Sequence, residues 1–253
     1  MRNVIKWAAL TFAMPLFAIA GTPPALLEFG GSATVAVDAT GKAHVIEMKK
    51  VSKLEQVPAF APIVERIKGR LKDVIESWQF VPAMRDGIAV GSQTSVVVEL
   101  EGMDDGAGGM AVRVRSAGAG AGMRHMDTAP LVVAVTKAQE EGLVRLHLAY
   151  DDAGKVVDAD IIDSKELSGA GFTGKADSLL RKAALSAART WELEPEVVDG
   201  HPRAGTGSIT LIFCLDARCE TTPLPGGDAE KPQQFASSDP AVKVRSNVAG
   251  TLL

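Results

Sequence analysis

The sequence predicts an α+β fold with two tandem β-β-α-β domains, each a small antiparallel sheet packed by one helix. Three observations lead to this prediction: short segments of alternating apolar and polar residues, amphipathic segments that end in tryptophan, and the recurrence of both at one constant offset, which takes Trp78 to Trp191. Alternation with period two is typical of a strand with one buried face, and an apolar stripe at helical spacing is typical of a helix packed on a core.

The strands come first in each repeat. Apolar residues alternate at Val35–Val37 and Ile46–Met48, and again at Leu148–Tyr150 and Ala159–Ile161. Asp38–Gly41 and Asp151–Gly154 lie between these pairs, and Asp with Gly favours a tight turn, so each pair is expected to form a hairpin. A third strand follows in each repeat, and it includes Val96–Leu100 in the first and Ile209–Phe213 in the second.

A helix is predicted between the second and third strands. Its apolar stripe includes Ile67, Leu71 and Trp78 in the first repeat, and Leu180, Ala184 and Trp191 in the second. Proline lacks an N–H donor and restricts the preceding residue, so Pro82 and Pro195 are expected to stop the two helices.

The identities at this offset support a duplication. The chain has three tryptophans, and the two beyond residue 20 fall in the same register. The residues that we expect to be structural in both repeats are Trp78, Pro82 and Gly87, matched by Trp191, Pro195 and Gly200.

The composition allows a packed core and argues against nucleic acid as a partner. Of 253 residues, 46% are hydrophobic and 23% charged, and the net charge is −4. Nucleic-acid binding requires a basic surface, which this balance does not provide. The four histidines are scattered, and none forms a helical i, i+4 pair, so we predict no metal site and no cofactor.

Residues 1–20 have the pattern of a secretory signal peptide. Arg2 and Lys6 precede the apolar run Trp7–Ala20, which ends in small residues before Gly21. At 1.5 Å per residue the run spans roughly 21 Å, short of the ~30 Å hydrocarbon core. Cleavage and a periplasmic location are therefore predicted, with an uncleaved inner-membrane anchor as the alternative. In an oxidising compartment, Cys214 and Cys219 favour a disulfide.

The remaining segments are predicted to be connections. Residues 102–128 are rich in Gly and predict a flexible linker, and Pro130–Lys137 is strand-like and opens the second domain. The tail, 221–253, is rich in Pro, Gly, Ser and Asp and is expected to be mostly disordered.

The hairpin with Gly-Lys, the helix ending in Trp, the Trp-x-[Phe/Leu]-x-Pro unit with a following Gly, and the alternating strand together resemble the TonB C-terminal domain family. The resemblance covers residues 29–101 and, more typically, 129–220. It implies a non-enzymatic periplasmic binding module that grips an extended peptide at a sheet edge. The chain lacks the long Pro-rich spacer of an energy transducer, so an interaction protein that binds envelope or transporter peptides fits better.

Carried over, the resemblance places the peptide on the third strand of the second repeat, which also could pair across a twofold axis to give a homodimer. The candidate binding residues of this strand are Ser208, Ile209, Thr210, Leu211, Ile212 and Phe213.

An exported enzyme or small-ligand carrier with an interdomain site is the alternative. No Gly-x-Ser-x-Gly motif is present, and we assign no catalytic residue. His44 is expected to point into the core, and His147 to lie on an exposed strand face. The carboxylates of 151–163 do not follow the order of a calcium loop, so they are expected to form a solvated face.

Overall fold

A computed structural model describes residues 27–51, 55, 58–104, 110–167, 171–215 and 235–253. In these residues the chain combines three α-helices with strands that pair mostly antiparallel. The predicted signal peptide, residues 1–20, lies outside the described residues.

Within these ranges, the first half of the chain contributes eight strands and one α-helix. They are β1 (Leu27–Val37), β2 (Ala43–Val51), α1 (Ala61–Ser77), β3 (Phe80–Val81), β4 (Ala83–Arg85), β5 (Ile88–Val90), β6 (Ser92–Asp104), β7 (Met110–Gly120) and β8 (Gly122–His125).

The described part of the second half contributes two α-helices and eight strands. They are α2 (Ala129–Ala138), β9 (Gly142–Tyr150), β10 (Val156–Glu166), α3 (Gly174–Ala188), β11 (Glu192–Glu194), β12 (Glu196–Val198), β13 (His201–Arg203), β14 (Gly205–Phe213), β15 (Phe235–Ser237) and β16 (Lys243–Val244).

Two larger sheets organise these strands. In the first, β1 lies between β2 and β6, while β7 and β12 share the opposite side of β6 and β13 lies beyond β12. In the second, the strand order is β10-β9-β14-β15. Because β12 and β13 follow α3 in the chain, the later half of the sequence supplies part of the first sheet.

The turns that join β1 to β2 and β9 to β10 have the same geometry. The N–H of Gly41 donates to the carbonyl of Asp38 over 2.9 Å, and the N–H of Gly154 donates to that of Asp151 over the same distance. The two glycines have φ of 83° and 85°. A Cβ at Gly154 would lie 2.1 Å from the carbonyl oxygen of Leu193, so glycine is required for both the turn and the close approach of β11.

The two tryptophans also have matching surroundings. Trp78 and Trp191 are buried directly after α1 and near the end of α3, and each backbone N–H bonds the last helical turn over 3.1 Å. The helices end at Ser77 and Ala188, well before the prolines. Pro82 and Pro195 separate the short strands β3 from β4 and β11 from β12, so the prediction that they stop the helices was wrong.

The third pair of turns matches as well. Asp86 and Gly87 have φ of 53° and 79°, and Asp199 and Gly200 have φ of 51° and 79°. Two successive positive φ values are typical of the tight hairpin turns that join antiparallel strands, here β4 to β5 and β12 to β13.

Two hydrophobic cores lie between sheets and helices, and each is completed by a segment from outside its own repeat. The core under α1 contains Val242 and Val248 from the C-terminal segment, where β16 pairs with β3. The core under α3 contains Ala121 and Leu131 from the segment between the repeats, where β8 pairs with β11. Both segments contribute to both cores, since Val112 and Val114 also lie in the core under α1 and Phe235 also lies in the core under α3.

Three predicted connections differ from the structure. The proposed linker, residues 102–128, contains β7 and β8. The strand-like run Pro130–Lys137 lies in α2, whose apolar stretch packs on α3. In the tail, residues 235–253 form β15 and β16 and bury apolar side chains, while residues 221–234 lie outside the described part of the chain. An apolar run without clear periodicity does not distinguish a buried helix from a strand.

Candidate functional site

The predicted binding edge on β14 is occupied by the chain itself. Along its whole length β14 pairs with β9, and on its other side Ser208 and Ile209 pair with Ala236 and Phe235 of β15. The ring of Phe235 packs edge-on against Tyr150 with centroids 5.9 Å apart. A peptide cannot add to Ser208 and Ile209 while β15 is in place, so this part of the predicted edge was wrong.

The remainder of that strand is largely directed into the core. Leu211 and Phe213 are buried beneath α3, Thr210 is buried on the opposite face, and Ile212 is half-buried. Cys214 follows directly. Its predicted disulfide partner, Cys219, lies outside the described residues, and the disulfide stays a prediction.

Among the described strands, the longer ones that end a sheet are instead β2 and β10. The strands β13 and β15 also end a sheet but have three residues each, and the outer side of β7 bonds residues 250–253. An open strand edge presents backbone N–H and C=O groups that can pair with an extended chain. These two edges are therefore the candidate peptide sites, and they differ in the side chains that cover their backbone groups.

The edge of β2 is covered by carboxylates. Glu76 of α1 accepts the N–H of Val45 over 2.9 Å, and Glu55 accepts the N–H of Val51 over 3.2 Å. Glu76 also lies 3.0 Å from Nδ1 of His44, whose side chain is 73% exposed. The expectation that His44 points into the core was wrong, because the side chain faces solvent and the acid at the helix end.

The Glu76 contact predicts a pH dependence. The N–H of Val45 favours the charged form and lowers the pKa of Glu76 below its ordinary 4.5. A lowered pKa adds stability above pH 4.5 that is lost as the pH falls through the folded-state value. Glu76→Gln should lower the free energy of unfolding at pH 7 by about 1 kcal/mol. Urea unfolding of wild type and variant should converge below pH 4.5.

Glu47→Gln is the matched control for this prediction, since Glu47 is an exposed carboxylate on the same strand. It is expected to leave the stability unchanged within about 0.5 kcal/mol. A Glu76→Gln variant as stable as wild type at pH 7 would mean that the bond between the Glu76 carboxylate and the N–H of Val45 does not stabilise the protein.

The edge of β10 borders a groove formed with α3. The groove has a volume of about 810 Å³ and lies between the strand at Asp160 and Ile161 and the exposed side of the helix. The helix lines it with Arg181, Lys182, Leu185 and Arg189, among others. Leu185 and Ile161 are half-buried and give the groove an apolar floor.

Two residues of β10 direct their backbone groups into this open side. The N–H of Ala159 donates to the carboxylate of its own neighbour, Asp158, over 2.9 Å. Its cross-strand partner is Leu148 of β9, and two residues on, Ile161 pairs with Leu146. Alternate residues of an antiparallel strand point their N–H and C=O groups to the same side, so Ile161 also offers an N–H to the groove.

Bulges limit the usable length of this edge. The register with β9 shifts between Val156 and Asp158 and again between Ile161 and Asp163, so Val157 and Ile162 are extra residues. Both are exposed. A bulge twists a strand and interrupts its ladder, so the regular segment is the stretch 158–161 between the bulges.

A second opening lies between the two halves of the chain. It has a volume of about 1010 Å³ and is lined by residues of β4, β13 and the C-terminal segment, including Met84, Arg85, Arg203 and Asp239. Arg203 bonds Asp239 over 2.6 Å and lowers the pKa of that carboxyl, and Arg85 bonds Asp199 over 2.6 Å. The arginines of this opening are thus already paired with acids.

The other chemistry-bearing residues are dispersed. His147 is half-buried on β9, His201 is exposed on β13, and His125 is exposed on β8 rather than in a linker. Asp151 accepts the N–H of Lys155 over 2.8 Å, and Asp163 bonds Arg145 over 3.0 Å. Within the described ranges, no three His, Cys, Asp or Glu side chains are grouped so that they could hold a metal ion.

Among the described residues, no helix has both the length and the apolar character needed to cross a membrane. Comparison with family models, with curated proteins and with solved structures finds no match.

The β10 groove has no direct signal in the sequence. Its cations, Lys182 and Arg189, are spaced by about two helical turns, which places them on one face of α3. This spacing can be read from the sequence and indicates a basic helix face. The groove could not be located from it, because the choice of β10 over β14 as the open edge depends on β15 in the tail.

Proposed function

We propose that the chain is an exported, periplasmic protein-interaction module that binds extended peptides of envelope or transporter proteins by β-strand addition. In this proposal it consists of two tandem β-β-α-β units that resemble TonB C-terminal domains. The turns, helix ends and buried tryptophans that match at the offset from Trp78 to Trp191 support a duplicated unit.

The observation that carries the binding proposal is the edge of β10 beside a groove of about 810 Å³. Strand addition takes its affinity from backbone pairing and its selectivity from pockets for alternate side chains. Here Ile161 offers its backbone groups, Ala159 offers its own once Asp158 releases its N–H, and Leu185 and the cations of α3 offer the side-chain contacts. The proposed site is therefore on β10, not on the third strand that the resemblance implies.

The test is a selection of random decapeptides displayed on phage against the immobilised full chain. Ile161→Pro removes the N–H that Ile161 offers to the groove and spares the bonds to β9. Peptides selected on the wild type should lose binding to this variant by at least tenfold.

Met48→Pro is the matched control. Met48 pairs with Ala33 of β1 as Ile161 pairs with Leu146 of β9, but its edge is covered by Glu76 and Glu55. Binding should persist in Met48→Pro. Selection of no peptide, or equal loss in both variants, would overturn the proposed function. A dimer of the chain that Ile161→Pro converts to monomer would assign the edge to a second copy instead.

The alternative, a small-ligand carrier or enzyme with a site between the repeats, has the opening of about 1010 Å³ in its favour. A polar ligand there would have to displace the Arg85–Asp199 and Arg203–Asp239 pairs. At the β10 edge only the exposed side chain of Asp158 has to release the N–H of Ala159, a smaller rearrangement that favours the interaction module.

A further inference from the structure

The helix side of the β10 groove is basic. Among the residues that the structure describes, no carboxylate lies within ion-pair distance of Lys182 or Arg189, and both side chains are exposed. Arg181 is already engaged, since it bonds the hydroxyl of Ser164 over 3.1 Å and lies 3.9 Å from Asp177. A ligand in the groove would therefore meet Lys182 and Arg189 as available cations.

The acidic side chains of β10 lie on the face of the sheet opposite α3. Successive side chains of a strand point to opposite faces. Ala159 is buried toward α3 and Ile161 packs against the same core, so Asp158 and Asp160 point away from the helix, where both are exposed. The two faces of the β10 edge thus carry opposite charge.

From this arrangement we infer that the ligand is an extended strand of alternating charge, with acidic side chains toward α3 and basic side chains beside Asp158 and Asp160. This inference rests on the proposed function. A strand added to β10 must alternate its own side chains between the same two faces. Opposite charges across neighbouring strands are favourable and like charges are not, so the groove selects alternation rather than net charge.

The first repeat shows what a carboxylate does at such an edge. Glu76 and Arg189 occupy equivalent positions at the ends of α1 and α3, since the offset that takes Trp78 to Trp191 also takes Glu76 to Arg189. In the first repeat Glu76 bonds the edge N–H of Val45. In the second repeat the helix end presents a cation, and the edge N–H of Ala159 bonds the carboxylate of Asp158 on the strand itself, so Arg189 stays available for a carboxylate of the bound strand.

The experiment uses the peptides selected on the full chain. Their sequences should be enriched in opposite charges at neighbouring positions and like charges at alternate positions. Lys182→Glu with Arg189→Glu should weaken their binding about tenfold, since like charges would then face one another. Asp160→Lys alone should also weaken binding. Combining these three substitutions with Asp158→Lys reverses the charge on both faces and should restore binding, because a slip of one residue exchanges the faces of an alternating strand.

The outcomes separate the inference from the proposed function. Peptides that require an intact Ile161 edge but show no alternation, or bind the Lys182→Glu, Arg189→Glu variant as well as wild type, would overturn the inference and leave the function standing. Loss in that variant without recovery in the variant that also carries Asp158→Lys and Asp160→Lys would overturn it too. Circular dichroism of each variant establishes that the charge substitutions leave the fold intact.

Discussion

Replacing Trp191 by alanine is expected to lower the free energy of unfolding by about 3–5 kcal/mol. Trp191 is buried between α3 and the second sheet, and it belongs to the core that Leu131 of α2 completes. Its indole N–H donates to the carbonyl of Asp127 over 3.0 Å, which ties the segment between the repeats to the core. The truncation removes packing on all sides and leaves that carbonyl without its donor.

Urea unfolding followed by circular dichroism measures this effect. Trp191→Phe is the control, because it keeps a six-membered aromatic ring in the core and loses the smaller ring of the indole with its hydrogen bond, with an expected cost of about 1–3 kcal/mol. Trp78→Ala should cost a similar amount, about 3–5 kcal/mol, since Trp78 fills the equivalent place in the first core. A cost below about 1 kcal/mol at either tryptophan would mean that its helix is not fixed to the sheet through that side chain.

Local features that depend on a few neighbouring residues could be predicted from the sequence. Asp38–Lys42 and Asp151–Lys155 form turns because Asp bonds nearby N–H groups and Gly accepts positive φ. The helices follow their apolar stripes, with Leu71 and Leu180 buried as expected. These features recur at one offset because the same local residue patterns recur there, and no distant contact is needed to form them.

Features that depend on distant segments could not be predicted in the same way. Glycine and alanine in 117–120 indicated a linker, yet these residues form the end of β7, where the C-terminal segment approaches closely. A Cβ at Gly120 would lie 2.3 Å from Oγ of Ser237, so the small residues permit a contact rather than flexibility. Composition alone does not distinguish these two uses of glycine.

The candidate site lies on a different strand from the one that the sequence implied, for the same reason. The resemblance implied a free third strand, and β14 has the alternating pattern of one. Its edge is occupied at Ser208 and Ile209 because Phe235 and Ala236 return from the tail. The strand beside the groove, β10, carries acids in a pattern typical of an ordinary solvated face. The sequence pattern of β10 alone therefore does not indicate a binding edge, and the basic residues of α3 suggest what the edge could bind.

The contribution of the C-terminal segment to the first core predicts a long-range effect of the tail. Val242→Asp is expected to lower the free energy of unfolding by about 3–5 kcal/mol, because it places a charge without a partner in the core under α1. Val242 is fully buried in that core, although the strand that follows it, β16, is far along the chain from β3, with which it pairs. The loss of amide protection should therefore appear in the first sheet and not only in the tail.

Hydrogen–deuterium exchange resolved by segment measures where protection is lost. In Val242→Asp, the amides of β1 and β6 should exchange faster, while those of β9 should change less, because the second core is completed by Ala121 and Leu131 instead. Arg245→Asp is the control, since Arg245 is exposed in the same segment and its charge reversal is expected to cost no more than about 0.5 kcal/mol. Faster exchange confined to residues 235–253 would contradict the prediction that the first core depends on the C-terminal segment. Loss of protection in β1 and β6 from a substitution at residue 242 has no explanation in two independent tandem domains, because in that arrangement residues 221–253 form a tail outside both domains.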